Sequence, residues 1–137
     1  MDDKKIKKFV NEIFKHEGVP AVTNFAAEFS DGALFLKLFN ILYGTNINCM
    51  LSKSTLFDDK LLNWNRINAC ICFNYLQQRF YLVEPTMKTL AKGKSSMAVI
   101  KLLKVLLNES QANYGDTDSA AVKEIADVLE LNGKMEI

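Results

Sequence analysis

Apolar side chains recur at helical spacing over most of the chain. Near the N-terminus they stand three or four positions apart, as on a helix with one buried face: Ile6, Phe9, Val10, Ile13 and Phe14. Asp2 and Asp3 precede this stretch as capping candidates, and Gly18 and Pro20 follow it as stop signals. The pattern predicts an N-terminal helix with a polar outer face.

The same spacing predicts a second helix from residue 34 to residue 42. Either Ser30 or Asp31 can cap it, because a short side-chain oxygen accepts from free N–H groups of a first turn, and Gly44 closes it. Residues 44–60 show no period and predict a long irregular connection.

The middle and end of the body also have helical character. Residues 61–80 are apolar on almost every side, which predicts a buried helix at the centre of a bundle. Shorter helices follow at 85–91 and at 97–107, the second capped by Ser95 or Ser96. Since no segment alternates with a period of two, the sequence predicts an all-α, compact helical bundle.

Charge divides the chain where the hydrophobic pattern does. The 137 residues carry a net charge of +1, but residues 1–104 hold 15 basic and 9 acidic side chains, and residues 105–137 hold 2 and 7. A polar linker and an acidic amphipathic helix, with Val122, Ile125 and Leu129 on its apolar face, follow the bundle. We therefore divide the chain into a domain at 1–108 and a tail at 109–137.

Chemistry-bearing residues are too sparse to predict an enzyme. His16 is the single histidine, and Cys49, Cys70 and Cys72 contain no CxxC pair, so neither a catalytic metal nor a structural zinc site is expected. The sequence Lys92-Gly93-Lys94-Ser95 is similar to the end of a phosphate-binding loop. Lys88 stands where that loop needs its first glycine, however, and we expect no cofactor.

The sequence also gives no sign of a membrane or nucleic-acid partner. No run of about 18 apolar residues is present, and charged residues interrupt the N-terminal apolar stretch, so neither a membrane span nor a signal peptide is expected. No basic stretch is interleaved with aromatic residues in the manner of nucleic-acid-binding segments. We expect an intracellular, reduced protein, consistent with its odd number of cysteines.

Two ordered motifs carry a family resemblance over residues 3–108. Phe29-Ser30-Asp31-Gly32 opens one helix, and Lys60-Leu61-Leu62-Asn63-Trp64-Asn65-Arg66-Ile67-Asn68 follows about 30 residues later. Together they resemble a calponin-homology domain, most closely the microtubule-associated branch of sperm flagellar protein and CLAMP. The signature residues of this resemblance are Asp31, Gly32, Asn63, Trp64 and Asn68.

The resemblance implies a non-catalytic cytoskeletal binding domain, with microtubules or tubulin as partner and a cytoplasmic location on the cytoskeleton, in a cilium or flagellum. The sequence departs from the family pattern at Phe9-Val10, where many members carry a tryptophan. Actin-binding members commonly use two such domains in tandem, and this chain has one. Actin binding therefore ranks below microtubule binding, and an adaptor that binds a helical protein partner through the tail is the other alternative.

For the signature residues themselves, structural roles are expected. Asp31 suits a helix cap, Gly32 a close helix contact, Trp64 core packing, and the two asparagines bonds to loop backbone, because a buried amide without partners costs about 1–3 kcal/mol.

Basic side chains are the candidate partner-binding surface. A body with excess positive charge suits a polyanionic surface, where many weak contacts add. The candidates are Lys4, Lys5, Lys7, Lys8, Lys53, Lys60, Arg66, Lys88, Lys92 and Lys94.

The acidic tail provides the first test. If residues 109–137 fold back and shield the basic body, their removal strengthens binding to a polyanionic partner, because repulsion of the tail by that partner is lost. The affinity of the full-length and truncated chains for microtubules, measured by co-sedimentation, checks this. An unchanged affinity would rule out shielding.

Overall fold

Six α-helices and one π-helical segment make up the described part of the chain. The computed structural model describes residues 3–76 and 81–114, and within them it contains no strand. The elements are α1 (Asp3–His16), α2 (Phe25–Glu28), α3 (Ala33–Tyr43), α4 (Phe57–Ile67), a π-helical segment (Asn68–Tyr75), α5 (Glu84–Lys92) and α6 (Ser96–Tyr114). The predicted all-α class is confirmed, and the amphipathic helix expected around residues 118–131 lies outside the described residues.

Helix α6 occupies the centre of the bundle. It packs against α1, α2, α3 and α5, and its Leu102, Leu103 and Leu106 are wholly buried. The prediction that residues 61–80 form the central helix of the bundle is wrong. Within the π-helical segment Ile71 and Cys72 are wholly buried, whereas Phe73 and Tyr75 are 42% and 41% exposed.

Helix α4 begins four residues earlier than predicted. Phe57, Asp58 and Asp59 form its first turn, where acidic side chains favour the positive end of the helix dipole. Beyond Ile67 the helix widens into the π-helical segment, and the N–H of Leu76 donates to the carbonyl of Ile71, five residues back, at 2.7 Å.

The cap of α3 is shared between two residues. Gly32 holds the N-cap position with a φ of +82°, and the Asp31 carboxylate beside it accepts from the N–H of Ala33 at 3.0 Å. Ser30 is not a cap, because its hydroxyl donates to the carbonyl of Ala27 at 2.7 Å. Of the two caps predicted for α6, Ser95 and Ser96, the structure has Ser95, whose Oγ accepts from the N–H of Ala98 at 3.1 Å.

The short helix α2 was not predicted, and side-chain caps fix its first turn. Asn24 Oδ1 accepts from the N–H of Ala27 at 3.1 Å. Glu28 Oε2 reaches back to accept from the N–H groups of Asn24 and Thr23, at 2.7 and 2.9 Å. These backbone donors, Asn24 first, lower the pKa of the Glu28 carboxyl.

Four asparagine side chains fasten irregular backbone to the helices. Each amide bonds both the N–H and the carbonyl of a single residue outside the helix, and we call such a pair an asparagine clasp. The clasps are Asn11 on Val22, Asn40 on Ile47, Asn63 on Ser52 and Asn68 on Leu82, with all eight distances between 2.8 and 3.0 Å. Asparagine suits this task because its side chain carries both an acceptor and a donor.

Helix α6 continues through Tyr114, past the domain end predicted at residue 108. Ser110, in the expected linker, is buried, and its hydroxyl donates to the carbonyl of Leu107 at 2.8 Å. The polar residues 109–114, predicted to be a linker, therefore belong to helix α6. A separate role for the tail stays a prediction.

A comparison of Gly32 with Gly44 tests how closely the backbone at Gly32 approaches Ile67 and Trp64. Both have positive φ, but an added Cβ at Gly32 would overlap Ile67 Cδ1 and lie 3.7 Å from the Trp64 ring, whereas at Gly44 it would meet nothing within 4 Å. We expect Gly44→Ala to cost about 1–2 kcal/mol through backbone strain alone. Gly32→Ala should cost about 1–3 kcal/mol more through overpacking.

Urea unfolding followed by the fluorescence of Trp64, the single tryptophan, measures both losses of unfolding free energy. Equal losses in the two variants would contradict a close contact at Gly32.

Candidate binding surface

Trp64 joins the two signature motifs. Its ring is wholly buried and lies against Phe35, with ring centroids 5.6 Å apart. The indole Nε1 donates to the carbonyl of Ser30 at 2.8 Å, and Gly32 lets the backbone approach the ring. The two motifs that carry the family resemblance therefore meet in a packed contact between α4 and the start of α3.

Asn63 and Asn68 make the backbone bonds expected of them. Besides clasping Ser52, Asn63 donates to the carbonyl of Asp31 at 2.9 Å, so it ties two separate loops to α4. Asn68 clasps Leu82, where the chain enters α5. Both side chains are buried, and these roles are structural.

Ser30 connects the buried contact to the surface. Its hydroxyl accepts from Lys60 Nζ at 2.8 Å. Gly93 approaches it so closely that an added Cβ would lie 3.1 Å from Ser30 Cβ. The start of α4 and the end of α5 are thus brought to the same point beside the α2–α3 junction.

An open cleft of about 450 Å³ lies where these elements meet. Lys60, Lys92 and Lys94 line it, although 32 residues separate the first from the second. The remaining lining residues are Thr55, Phe57 and Ala91. We call these six residues the basic cleft.

The basic cleft has three cations and no anion. None of its lysines forms an ion pair with a carboxylate in the part of the chain that the structure describes. Like charges that converge on one concavity repel one another, and an anionic ligand would relieve this repulsion. The exposed ring of Phe57 adds apolar surface beside the charges, and the buried Ala91 lies beneath them.

The other candidate basic residues lie elsewhere or have partners. The four lysines of α1 are not part of the cleft lining, and Lys7 Nζ stands 5.5 Å from the centroid of the Phe25 ring. Lys88 pairs with Glu84 at 3.2 Å on the surface of α5. Arg66 donates to the carbonyl of Met50 at 2.5 Å, and Lys53 is exposed on the loop.

Thr55, Phe57 and Ala91 were missed by the sequence analysis. Thr55 and Phe57 fell in a segment read as an irregular loop, and Ala91 looked like one more apolar position of a short helix. Lys92 ends α5, and residues 93–95 form the turn between α5 and α6.

Other site types find no support among the described residues. No cluster of three or more His, Cys, Asp or Glu side chains there could hold a metal ion, and none of the helices described is both long and apolar enough to cross a bilayer. No protein-family model matches the sequence, and no curated protein or solved structure matches it either. The calponin-homology resemblance therefore stays a prediction.

Asn63 offers a test of how the surface is supported. Asn63→Asp keeps the acceptor for the Ser52 N–H but turns a carboxylate oxygen toward the carbonyls of Ser52 and Asp31. Because the group is buried and loses two donated bonds, we expect a loss of about 3–5 kcal/mol.

Asn65→Asp is the matched control on the same helix. Asn65 is exposed and donates only to the carbonyl of Leu61, at 3.0 Å, so its replacement should change stability by less than about 0.5 kcal/mol. Urea unfolding with Trp64 fluorescence compares the two. Similar losses would show that Asn63 does not hold the loops.

Proposed function

We propose that this chain is a non-catalytic, calponin-homology-like module that attaches to an acidic protein polymer through the basic cleft. The microtubule is the polymer we propose, since its exterior carries the acidic tails of tubulin. The corresponding location is the cytoskeleton, with a cilium or flagellum as the specific setting.

The observation that carries this proposal is the convergence of Lys60, Lys92 and Lys94, none of which pairs with a carboxylate among residues 3–76 and 81–114. A solvated surface lysine needs no partner, but three such groups around one concavity form a region of concentrated positive potential. The Ser30 hydroxyl holds Lys60 at the edge of this region, which reduces the freedom its side chain loses on binding.

The shape of the basic cleft favours a peptide-like anion. It is open rather than enclosed, and an exposed aromatic ring lies beside the ammonium groups. An acidic polypeptide segment can place carboxylates on the lysines and aliphatic carbon on Phe57 at the same time.

The resemblance of the signature motifs to the microtubule-associated branch supports the same partner. The contact between Trp64 and Ser30 places those motifs directly behind Lys60.

A co-sedimentation assay tests the proposal. The full-length chain should pellet with microtubules at low ionic strength, and the bound fraction should fall as salt rises, because the attraction is screened. Lys92→Glu combined with Lys94→Glu should weaken the affinity about ten- to a hundredfold, since two attractive charges become repulsive.

Lys37→Glu combined with Lys101→Glu is the matched control, as both lysines are exposed and lie outside the basic cleft. It makes the same change in net charge and should weaken binding much less. Replacement of the four candidate lysines of α1 by glutamate measures how much they contribute to the affinity for microtubules. These lysines are Lys4, Lys5, Lys7 and Lys8.

Failure to pellet at low ionic strength would overturn the proposal. Equal losses in the two double variants would show that net charge rather than the basic cleft directs binding. Tighter binding to actin filaments than to microtubules would identify the other polymer.

A further inference from the structure

We propose that Thr55 is a phosphorylation site for an acid-directed protein kinase, and that the phosphoryl group it receives occupies the basic cleft. The modification itself does not depend on what binds the cleft, whereas its effect on a partner rests on the proposed function.

The side chain of Thr55 presents an open hydroxyl group. Thr55 is exposed, and its side chain forms no hydrogen bond with any of the described residues. Ser52 and Ser54 beside it are half-buried, and their Oγ atoms accept from the N–H groups of Ser54 and Leu56, each at 3.1 Å. Of these three neighbouring hydroxyl groups, a kinase therefore meets only that of Thr55 without breaking a bond.

Two carboxylates follow Thr55 at the spacing that an acid-directed kinase recognises. Asp58 and Asp59 stand three and four positions after Thr55, and no other serine or threonine of the chain has an acidic residue three positions later. Kinases of this class bind such carboxylates through their own basic side chains, which form charge-assisted hydrogen bonds with them. The sequence therefore directs the phosphoryl group to Thr55.

The backbone around Thr55 can enter a kinase active site at small cost. Residues 51–55 belong to neither helix nor strand. Helix α4 begins at Phe57, and its N-cap residue, Leu56, makes no side-chain bond to the first turn. Only this uncapped turn has to open before its carboxylates can reach the kinase, and the end turns of helices fray readily.

The product would lie among three cations. Thr55 lines the basic cleft together with Lys60, Lys92 and Lys94. A phosphothreonine carries a charge of about −1.5 to −2 at pH 7 and accepts hydrogen bonds through three oxygens. The ammonium groups stand on flexible stems and can turn toward these oxygens. The two aspartates of the first turn of α4, which would repel the phosphate, are not among the lining residues.

The transfer balances with ATP as the donor. The Oγ1 atom of Thr55 attacks the γ-phosphorus of ATP, the bond from that phosphorus to the bridging oxygen of the β-phosphate breaks, and ADP leaves. The catalytic base of the kinase accepts the hydroxyl proton. One ATP and one threonine thus give one ADP, one phosphothreonine and one proton.

Phosphorylation would close the basic cleft to an acidic partner. The phosphate offsets about half or more of the charge of the three lysines. It also engages the ammonium groups that a carboxylate of the partner would otherwise contact. The modification is therefore expected to weaken the attachment proposed for this cleft while the helical core stays unchanged.

Incubation of the full-length chain with ATP and a purified protein kinase of the casein-kinase class tests the site. We expect the intact mass to rise by one phosphoryl group, carried by the tryptic peptide of residues 54–60, with fragment ions that place it on Thr55. Thr55→Val should abolish the incorporation, and Asp58→Asn should slow it. Thr89→Val is the matched control, because Thr89 is also exposed but its hydroxyl donates to the carbonyl of Pro85 at 2.9 Å. This control should incorporate as much phosphate as the wild-type chain.

Phosphorus NMR of the modified chain tests where the phosphoryl group lies, without any partner. Surrounding lysines favour the doubly charged form, so the second pKa of the phosphothreonine should lie below its ordinary value of about 6. Lys92→Gln combined with Lys94→Gln should move the titration midpoint up by about 0.5 to 1 in pH. Lys37→Gln combined with Lys101→Gln makes the same change in net charge outside the basic cleft and should leave the midpoint nearly unchanged.

Co-sedimentation measures the effect on the partner. At low ionic strength the phosphorylated chain should bind microtubules about tenfold more weakly than the unmodified chain, because the cleft then holds an anion of its own. If the unmodified chain does not pellet, the proposed function fails, while mass spectrometry and phosphorus NMR still decide the site and the position of the phosphoryl group.

Three results would contradict the inference. These are incorporation at other residues only or at none, a phosphothreonine pKa that is the same in the wild-type chain and in the Lys92→Gln, Lys94→Gln variant, and an affinity for microtubules that phosphorylation leaves unchanged.

Discussion

Irregular backbone that lies against a helical core needs hydrogen-bond partners that the helices do not provide, and asparagine amides supply them throughout this fold. The connections after α1 and before α5 are each held by one such side chain, and the loop 45–56 between α3 and α4 is held by two. The surfaces these segments form, including Thr55 in the basic cleft, depend on that anchorage. Helix packing alone would leave their positions open.

The contact between Trp64 and Ser30 links the core to the candidate binding surface. On its inner side it fixes how closely α3 approaches α4, through Gly32. On its outer side the same serine holds Lys60, and Gly93 packs against it. The signature residue Trp64 and Lys60 of the basic cleft are thus separated by the single residue Ser30, which bonds to both.

Local patterns predicted the helices whose apolar stripes are regular and whose ends carry glycine or serine, as with α3 between Gly32 and Gly44. They failed at α4, because Asp58 and Asp59 look like loop residues until the helix dipole is considered. They also failed at the centre of the bundle, where aromatic residues made residues 61–80 look more buried than α6. The basic cleft brings Lys60 together with Lys92, which stands 32 positions later, and no local period records such a pair.

The π-helical segment has a consequence for how this chain can tolerate change. A π turn contains about one residue more than an α turn, and π-bulges are a form in which a helix accommodates an inserted residue. A single deletion within Asn68–Tyr75 could be absorbed as a return to α geometry, with the backbone bonds renewed in a narrower register. Because the widened turns already accommodate the extra residue, Leu76 would then keep nearly the same direction about the helix axis and stay in the core. A deletion in α4, which has no extra residue to lose, would instead rotate Leu76 by roughly 100° about that axis. The π-helical segment thus sets the direction in which the chain leaves this helix toward α5.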